Sequence, residues 1–130
     1  MTLALWCVFI AGLLPYIASL AAKVGAADFN NDAPREWLSK QGGYRARANA
    51  AQQNSFEAFA FFAAAVIVAH ITRGPQAQVD TLAMVFIAAR VLYVVMYLGG
   101  WGTLRSLVWA VGMVTTVWIF LTPAISRGAI

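Results

Sequence analysis

Charged residues are scarce in this sequence, and cysteine and histidine are scarcer still. Of the 130 residues 11% are charged, nine Lys and Arg against five Asp and Glu, and Cys7 and His70 are the single cysteine and histidine. A lone cysteine excludes an intramolecular disulfide and a cysteine-based zinc site. Hydrophobic residues form 62% of the chain, whereas soluble domains have about 45–50%. The composition therefore excludes disorder and a water-soluble monomer, because a chain this short cannot bury so much apolar surface in one core, and it predicts an integral membrane protein.

Four long apolar segments predict an all-α fold, a bundle of four transmembrane helices. The predicted domain comprises residues 1–130, with spans at about residues 3–22, 44–71, 79–98 and 104–122. Each segment is long enough for the ~20 residues that a bilayer core requires. In the polar stretch after the first span, Pro34 is expected to start a short interfacial helix, with Asp32 or Ala33 before it. Thr103 is the expected N-cap of the last span, which we expect to end before Pro123.

The basic residues are unevenly divided between the two sides of such a bundle. Six of them lie in segments 23–47 and 99–105 on one side, and two lie in the 72–78 loop and the C-terminal segment on the other. Loops rich in Lys and Arg stay in the cytoplasm, so the long loop is predicted to be cytoplasmic and both termini to lie outside. This rule accounts for the net charge of +4 without a nucleic-acid partner.

Two charged residues fall inside the predicted spans, Glu57 in the second and Arg90 in the third. A charge in lipid is costly, so such residues are expected to pair or to face a polar cavity. Both lie about nine or ten residues from the cytoplasmic ends of their spans, which at ~1.5 Å per residue gives depths of roughly 13–15 Å. We therefore expect an ion pair or shared polar network between them. It would either fix the register of the helices or frame a ligand cavity.

Helical spacing places further polar side chains beside these two. Residues three, four or seven positions apart share a helix face. The stripe on the second span consists of Arg47, Asn54 and Glu57, and the stripe on the third consists of Arg90, Tyr93 and Tyr97. For Tyr97 alone, an interfacial anchor is the alternative interpretation.

Arg105 opens the fourth span. The N-terminus of a helix has unpaired N–H groups and a partial positive charge, so an arginine there favours an anion or a thiolate. The alternative is that Arg105 is only another topology signal. The sequence contains no Walker, glycine-rich phosphate or nucleophile-elbow motif, and it predicts no metal site.

The combined pattern resembles the MAPEG family, the membrane-associated proteins in eicosanoid and glutathione metabolism, and most of all its bacterial members. Asn-x-x-Glu (Asn54 to Glu57) leads into the second span, Arg-x-x-Tyr-x-x-x-Tyr from Arg90 ends the third, and Arg105 opens the fourth. Members of this family are trimers of four-helix subunits. The resemblance implies a homotrimer in a bacterial inner membrane, with the termini in the periplasm.

The resemblance also implies a function, glutathione-dependent transfer or peroxide reduction. Enzymatic members bind glutathione as co-substrate in cavities between subunits that open towards the cytoplasm. By this resemblance Arg105 is the catalytic residue and stabilises the thiolate, which attacks a small hydrophobic electrophile or a lipid hydroperoxide in the membrane. The implied glutathione-binding residues are Arg47, Asn54, Glu57, Arg90, Tyr93 and Tyr97, with Glu57 placed to meet the amino group.

The sequence departs from the family pattern on the second span. Ala50 and Gln53 stand where several enzymatic members carry additional arginines, which leaves Arg45 or Arg47 as possible substitutes for the missing cation. A non-catalytic, lipid-binding or scaffold member of the same fold is therefore the alternative function. A small multidrug exporter fits less well, because the first span contains no acidic residue.

Overall fold

The structure is a computed structural model that describes residues 1–128. These residues contain five α-helices joined by turns and loops. They are α1 (Leu3–Lys23), α2 (Pro34–Ser39), α3 (Gly43–Ile71), α4 (Gln76–Gly99) and α5 (Gly102–Ser126). The four long helices have the length and apolar composition to cross a membrane. The predicted all-α fold with four spans is confirmed, and α2 is the short helix expected at Pro34, with Ala33 as its N-cap.

Helices α3 and α4 form the centre of the bundle, and each contacts the other and both outer long helices, α1 and α5. Phe62 of α3 and Phe86 of α4 are buried, and their rings stack with centroids 3.8 Å apart. Ala4, Ala11 and Ala18 of α1 are buried, and such small residues let helices approach closely. The apolar core therefore lies mainly between α1, α3 and α4, and α5 contributes the buried Ile119 to it.

Two arginines near the start of α3 cap the carboxyl ends of other helices. Arg45 donates from Nε to the carbonyl oxygen of Ala22 at 3.1 Å and from Nη2 to that of Val24 at 3.1 Å. Arg47 donates from Nε to the carbonyl oxygen of Leu98 at 3.1 Å. The last carbonyls of a helix lack intrahelical partners and favour cations. Both arginines therefore fix the ends of α1 and α4.

A carboxylate from α4 caps the opposite end of α1. The backbone N–H of Ala4 donates to Oδ1 of Asp80 at 2.7 Å, and Gln76 Nε2 donates to the same oxygen at 2.8 Å. The N–H of Leu5 donates to Oγ1 of Thr2 at 3.3 Å. Two unpaired donors of the first turn of α1 are thus satisfied, one of them by a residue distant in sequence.

Replacing Asp80 by alanine is expected to lower the free energy of unfolding by about 1–2 kcal/mol, because a helix cap and a charge-assisted hydrogen bond are both lost. Thermal unfolding of the purified protein in detergent measures this loss. Asp28→Ala is the matched control, since Asp28 is exposed in the loop before α2. Equal melting temperatures for the two variants would contradict the capping role.

Helix α5 differs from the sequence prediction at both ends. It begins at Gly102 with Trp101 as the N-cap, without a side-chain cap, so the prediction of Thr103 as N-cap is wrong. It also continues through Pro123 to Ser126, although an end before Pro123 was expected. Pro123 is buried beside the loop between α3 and α4, where a Cβ on Gly74 would come within 3.1 Å of its ring. This packing holds the proline inside the last turn of α5, although its missing N–H costs the helix one backbone hydrogen bond.

Candidate functional site

A groove between α3, α4 and α5 contains all but one of the site residues expected from the sequence. Its inner pocket, of about 140 Å³, is lined by Asn54, Glu57, Ala58, Phe61, Phe86, Arg90, Trp109, Gly112, Met113 and Thr116. Its outer pocket, of about 220 Å³ and nearer the long loop, is lined by Asn54, Tyr93, Tyr97, Arg105, Ser106 and Trp109. Asn54 and Trp109 line both pockets, so the two adjoin and are called the groove below.

Arg90 is the buried cation of the groove, with 3% of its surface exposed. Its Nη2 donates to Oδ1 of Asn54 at 3.1 Å and to Oγ of Ser55 at 3.2 Å. Its guanidinium carbon lies 4.0 Å from the ring centroid of Tyr93. All of these partners are neutral, so the structure gives Arg90 hydrogen bonds and an aromatic face without a counter-charge.

Glu57 lines the inner pocket together with Arg90. Of the two arrangements expected, an ion pair or a shared polar network, the ion pair does not form. Within residues 1–128 the ion pairs are limited to Lys40 with Glu36, at the exposed end of α2. The reason lies in the register of α3. Arg90 is held by Asn54 and Ser55, which precede Glu57 on the helix, and the Glu57 side chain is exposed. The two charges therefore share a cavity rather than a salt bridge.

In the outer pocket a second arginine lies against an aromatic ring. The guanidinium carbon of Arg105 lies 4.3 Å from the ring centroid of Tyr97. The rings of Tyr97 and Tyr93 meet edge to face at 5.5 Å. Arg105 is in the first turn of α5, where the helix N-terminus adds partial positive charge. This corner of the groove is therefore suited to a negatively charged atom.

Arg47 is the predicted site residue that the structure does not bring into the groove. It lines neither pocket, and its Nε is bound to the carbonyl oxygen of Leu98. Arg45, the other residue considered as a substitute cation, is bound to two carbonyls at the end of α1. The cations that line the groove are therefore Arg90 and Arg105.

The structure adds a face of α5 that the sequence interpretation missed. Its members are Trp109, Gly112, Met113 and Thr116, which line the inner pocket. They follow Arg105 by four, seven, eight and eleven residues, the spacing of one helix face. The signal was present in the sequence, but apolar residues on a span resemble ordinary lipid contacts. Only packing against α3 and α4 distinguishes this face from the others.

The groove combines an apolar interior with three charged groups. Glu57 can accept hydrogen bonds from an ammonium group, and Arg90 and Arg105 can donate to anions. Among residues 1–128 no cluster of His, Cys, Asp or Glu is large enough to hold a metal ion. The arrangement can therefore bind a zwitterionic or anionic molecule and place an apolar one beside it.

Comparison with known proteins agrees with the pattern of residues. A model of the MAPEG family matches residues 3–125. The searches of curated proteins and of solved structures give no significant match. The family includes glutathione-dependent transferases and also non-catalytic members. Because the match covers nearly the whole chain, the chain belongs to the MAPEG family.

Proposed function

We propose that this member of the MAPEG family uses glutathione as a co-substrate. It conjugates glutathione to hydrophobic electrophiles in the membrane, or uses it to reduce lipid hydroperoxides. The observation that carries the proposal is the groove, with Glu57 and Arg90 at its inner end and Arg105 at its outer end. Neither pocket alone reaches the ~300 Å³ of a small-molecule site, but the two joined exceed it.

Each charged side chain has a role in this proposal. Glu57 binds the ammonium group of glutathione, and Arg90, supported by Asn54, binds a carboxylate; such charge-assisted hydrogen bonds are the strong ones. Tyr93 holds the Arg90 guanidinium at 4.0 Å. Arg47 supports the site indirectly by fixing the end of α4, the helix that carries Arg90 and Tyr93.

Arg105 and Tyr97 hold the sulfur in this proposal. A free thiol titrates near pH 8.5, and a nearby cation at a helix N-terminus lowers that pKa, so that the reactive thiolate forms at neutral pH. In conjugation, the thiolate forms a C–S bond while the electrophile's leaving group, or its ring oxygen, takes the electron pair. In peroxide reduction, the thiolate attacks the terminal oxygen, the O–O bond breaks, and the lipid oxygen leaves with the electron pair and takes a proton from water to become an alcohol. The resulting sulfenic acid and a second glutathione then give the disulfide and water.

We also propose a homotrimer, the assembly that the family resemblance implies, and the exposed position of Glu57 supports contact with a neighbouring subunit at the groove. Glu57 lies in the middle of α3, and its side chain is exposed on a single subunit. A bare carboxylate facing lipid at that depth is costly, and a neighbouring subunit that covers the groove removes the cost. We further propose that the long loop and the mouth of the groove face the cytoplasm of a bacterial cell, with the termini in the periplasm, as the distribution of basic residues indicates.

One observation favours a non-catalytic, lipid-binding function as the second candidate. Beside the groove, α5 has an apolar depression of about 390 Å³, lined by Met113, Val114, Val117, Trp118, Leu121 and Ile125. It shares Met113 with the inner pocket. An acyl chain fits such a surface without any polar partner. This candidate requires neither Arg105 nor a thiol.

Binding of glutathione tests the proposal directly. Calorimetry on the protein in lipid nanodiscs is expected to show saturable binding, weakened at least about tenfold by Glu57→Gln because a charge-assisted hydrogen bond is lost. Glu36→Gln is the matched control, since Glu36 lies on α2 and pairs with Lys40. Absence of saturable binding in the unaltered protein, with lipid retained through purification, would instead support the lipid-binding candidate.

A further inference from the structure

We infer that Ser55 is a positioning residue for the ligand of the groove, because it fixes the rotation of the Arg90 guanidinium without touching the ligand itself. The inference rests on the proposed function, in which Arg90 binds a carboxylate of glutathione. It assigns to Ser55 a share of the affinity for that carboxylate and for no other group of the ligand.

Ser55 and Arg90 meet inside one subunit. Arg90 Nη2 donates to Oγ of Ser55 at 3.2 Å, and 3% of the surface of each residue is exposed. Ser55 lines neither pocket of the groove. A neighbouring subunit that covers the groove can only increase this burial. Ser55 is therefore out of reach of a ligand in the single subunit and in the trimer alike, and any effect it has on binding passes through Arg90.

The two acceptors of Nη2 differ in their access to the groove. Nη2 carries two N–H groups, and the second acceptor is Oδ1 of Asn54 at 3.1 Å. Asn54 is partly buried and lines both pockets, so water or a ligand in the groove can replace its oxygen. Ser55 is the acceptor that stays in place when a ligand enters.

The hydroxyl of Ser55 also has no substitute on its own side of the guanidinium. It lies at a gap between α1, α3 and α4 that is too narrow for a water molecule and is lined by Ala11, Leu14, Ser55, Phe59, Phe86 and Arg90. The other lining residues apart from Arg90 are apolar. Removing the hydroxyl therefore leaves a buried N–H facing hydrocarbon, which is costly.

The guanidinium can reduce this cost by turning towards the groove. Tyr93, whose ring centroid lies 4.0 Å from the guanidinium carbon, restricts tilting but leaves rotation within the guanidinium plane. The hydrogen bond to Ser55 restricts that rotation. Because a guanidinium binds a carboxylate through N–H groups fixed in one plane, a turned group has to turn back before it can bind, and the affinity falls.

The test measures the binding of three thiols to Ser55→Ala in lipid nanodiscs by calorimetry: glutathione and its two monoamides, one at the glutamyl carboxylate and one at the glycine carboxylate. We expect the variant to bind glutathione about fivefold to tenfold more weakly than the unaltered protein does. One monoamide, the one that lacks the carboxylate bound by Arg90, should bind to the two proteins within about twofold, because Ser55 no longer has a carboxylate to serve. The pair of amides thereby also identifies that carboxylate.

A general distortion of the groove gives a different result. It would weaken glutathione and both amides equally, and that outcome, or unchanged binding of glutathione, would overturn the inference. Turnover provides a second distinction, since Arg105 in the outer pocket is unaltered and the rate at saturating glutathione should stay within about twofold while KM rises. If the unaltered protein binds none of the three thiols, the proposed function itself fails, which is distinct from failure of the role of Ser55.

Two further variants separate the hydrogen bond from packing. Cysteine fills the space of serine but its sulfur is a weak acceptor, so Ser55→Cys should bind glutathione within about twofold of the alanine variant. Ser19→Ala is the matched control, because Ser19 is buried on α1 and lines neither the groove nor the gap, and its binding should equal that of the unaltered protein. Full recovery of affinity in Ser55→Cys would show that Ser55 only fills space, and would overturn the inference.

Discussion

Replacing Arg105 by leucine is expected to lower kcat/KM for glutathione conjugation by about 100-fold near neutral pH, the usual effect of removing one preorganised charge from a reacting anion. The guanidinium lies 4.3 Å from the Tyr97 ring in the first turn of α5, and in the proposed function it stabilises the thiolate but not the thiol. Its removal raises the pKa of bound glutathione towards the value of about 8.5 in water. The measurement is the initial rate with a chromogenic aromatic electrophile over a range of pH.

The pH profile separates this role from simple loss of fold. As the pH is lowered, the rate of the unaltered protein stays constant until the pH reaches the lowered pKa of the bound thiol. Below that pH the thiolate is protonated and the rate falls. On acidification, the rate of the leucine variant begins to fall at a higher pH than that of the unaltered protein. The difference between the two rates narrows above about pH 9, where the thiol ionises unaided. Arg105→Lys retains charge but not the planar contact with Tyr97, so an intermediate rate is expected. A leucine variant with a constant deficit at every pH would contradict thiolate stabilisation.

The four-helix architecture was predictable because lipid imposes strong constraints on a short chain. Every backbone group must be satisfied within the membrane, so each long apolar run had to be a helix. The course of α5 was less predictable. It continues through Pro123, which packs against the loop at Gly74, a residue distant in sequence. It starts at Gly102 without a side-chain cap, so no capping residue marks the start in the sequence.

Part of the groove lining was predictable from depth and helical spacing. Glu57 and Arg90 line one pocket, as their shared depth indicated, and Asn54 lines it too, as its spacing from Glu57 indicated. Hydrogen bonding within the site was not predictable, because opposite charges at equal depth indicate an ion pair until the rotation of each helix is known. Arg90 instead reaches the neutral oxygens of Asn54 and Ser55. The contribution of α5 was not predictable either, because apolar residues that line the groove and apolar residues that face lipid look alike in the sequence.

Replacing Arg90 by methionine is expected to abolish glutathione binding without lowering the stability of the ligand-free protein. The buried guanidinium has neutral partners alone, and exchanging a buried charge for an apolar side chain of similar reach is often neutral or stabilising. Asn54 is only partly buried and lines both pockets, so water can satisfy its released oxygen. Arg90 is therefore expected to increase the affinity for the ligand while lowering the stability of the ligand-free protein.

Thermal unfolding in detergent, with and without glutathione, checks both halves of this expectation. Saturating ligand at about 100 times its Kd stabilises a protein by ~2.7 kcal/mol, so the unaltered protein should show a clear rise in melting temperature. Arg90→Met should show none, while its ligand-free melting temperature stays equal or higher. Arg90→Lys keeps the charge but has one nitrogen in place of three, so it should retain a reduced rise. A methionine variant that unfolds at a much lower temperature without ligand would show that Arg90 is a structural tie between α3 and α4, and the groove would then lose its central argument for an anionic ligand.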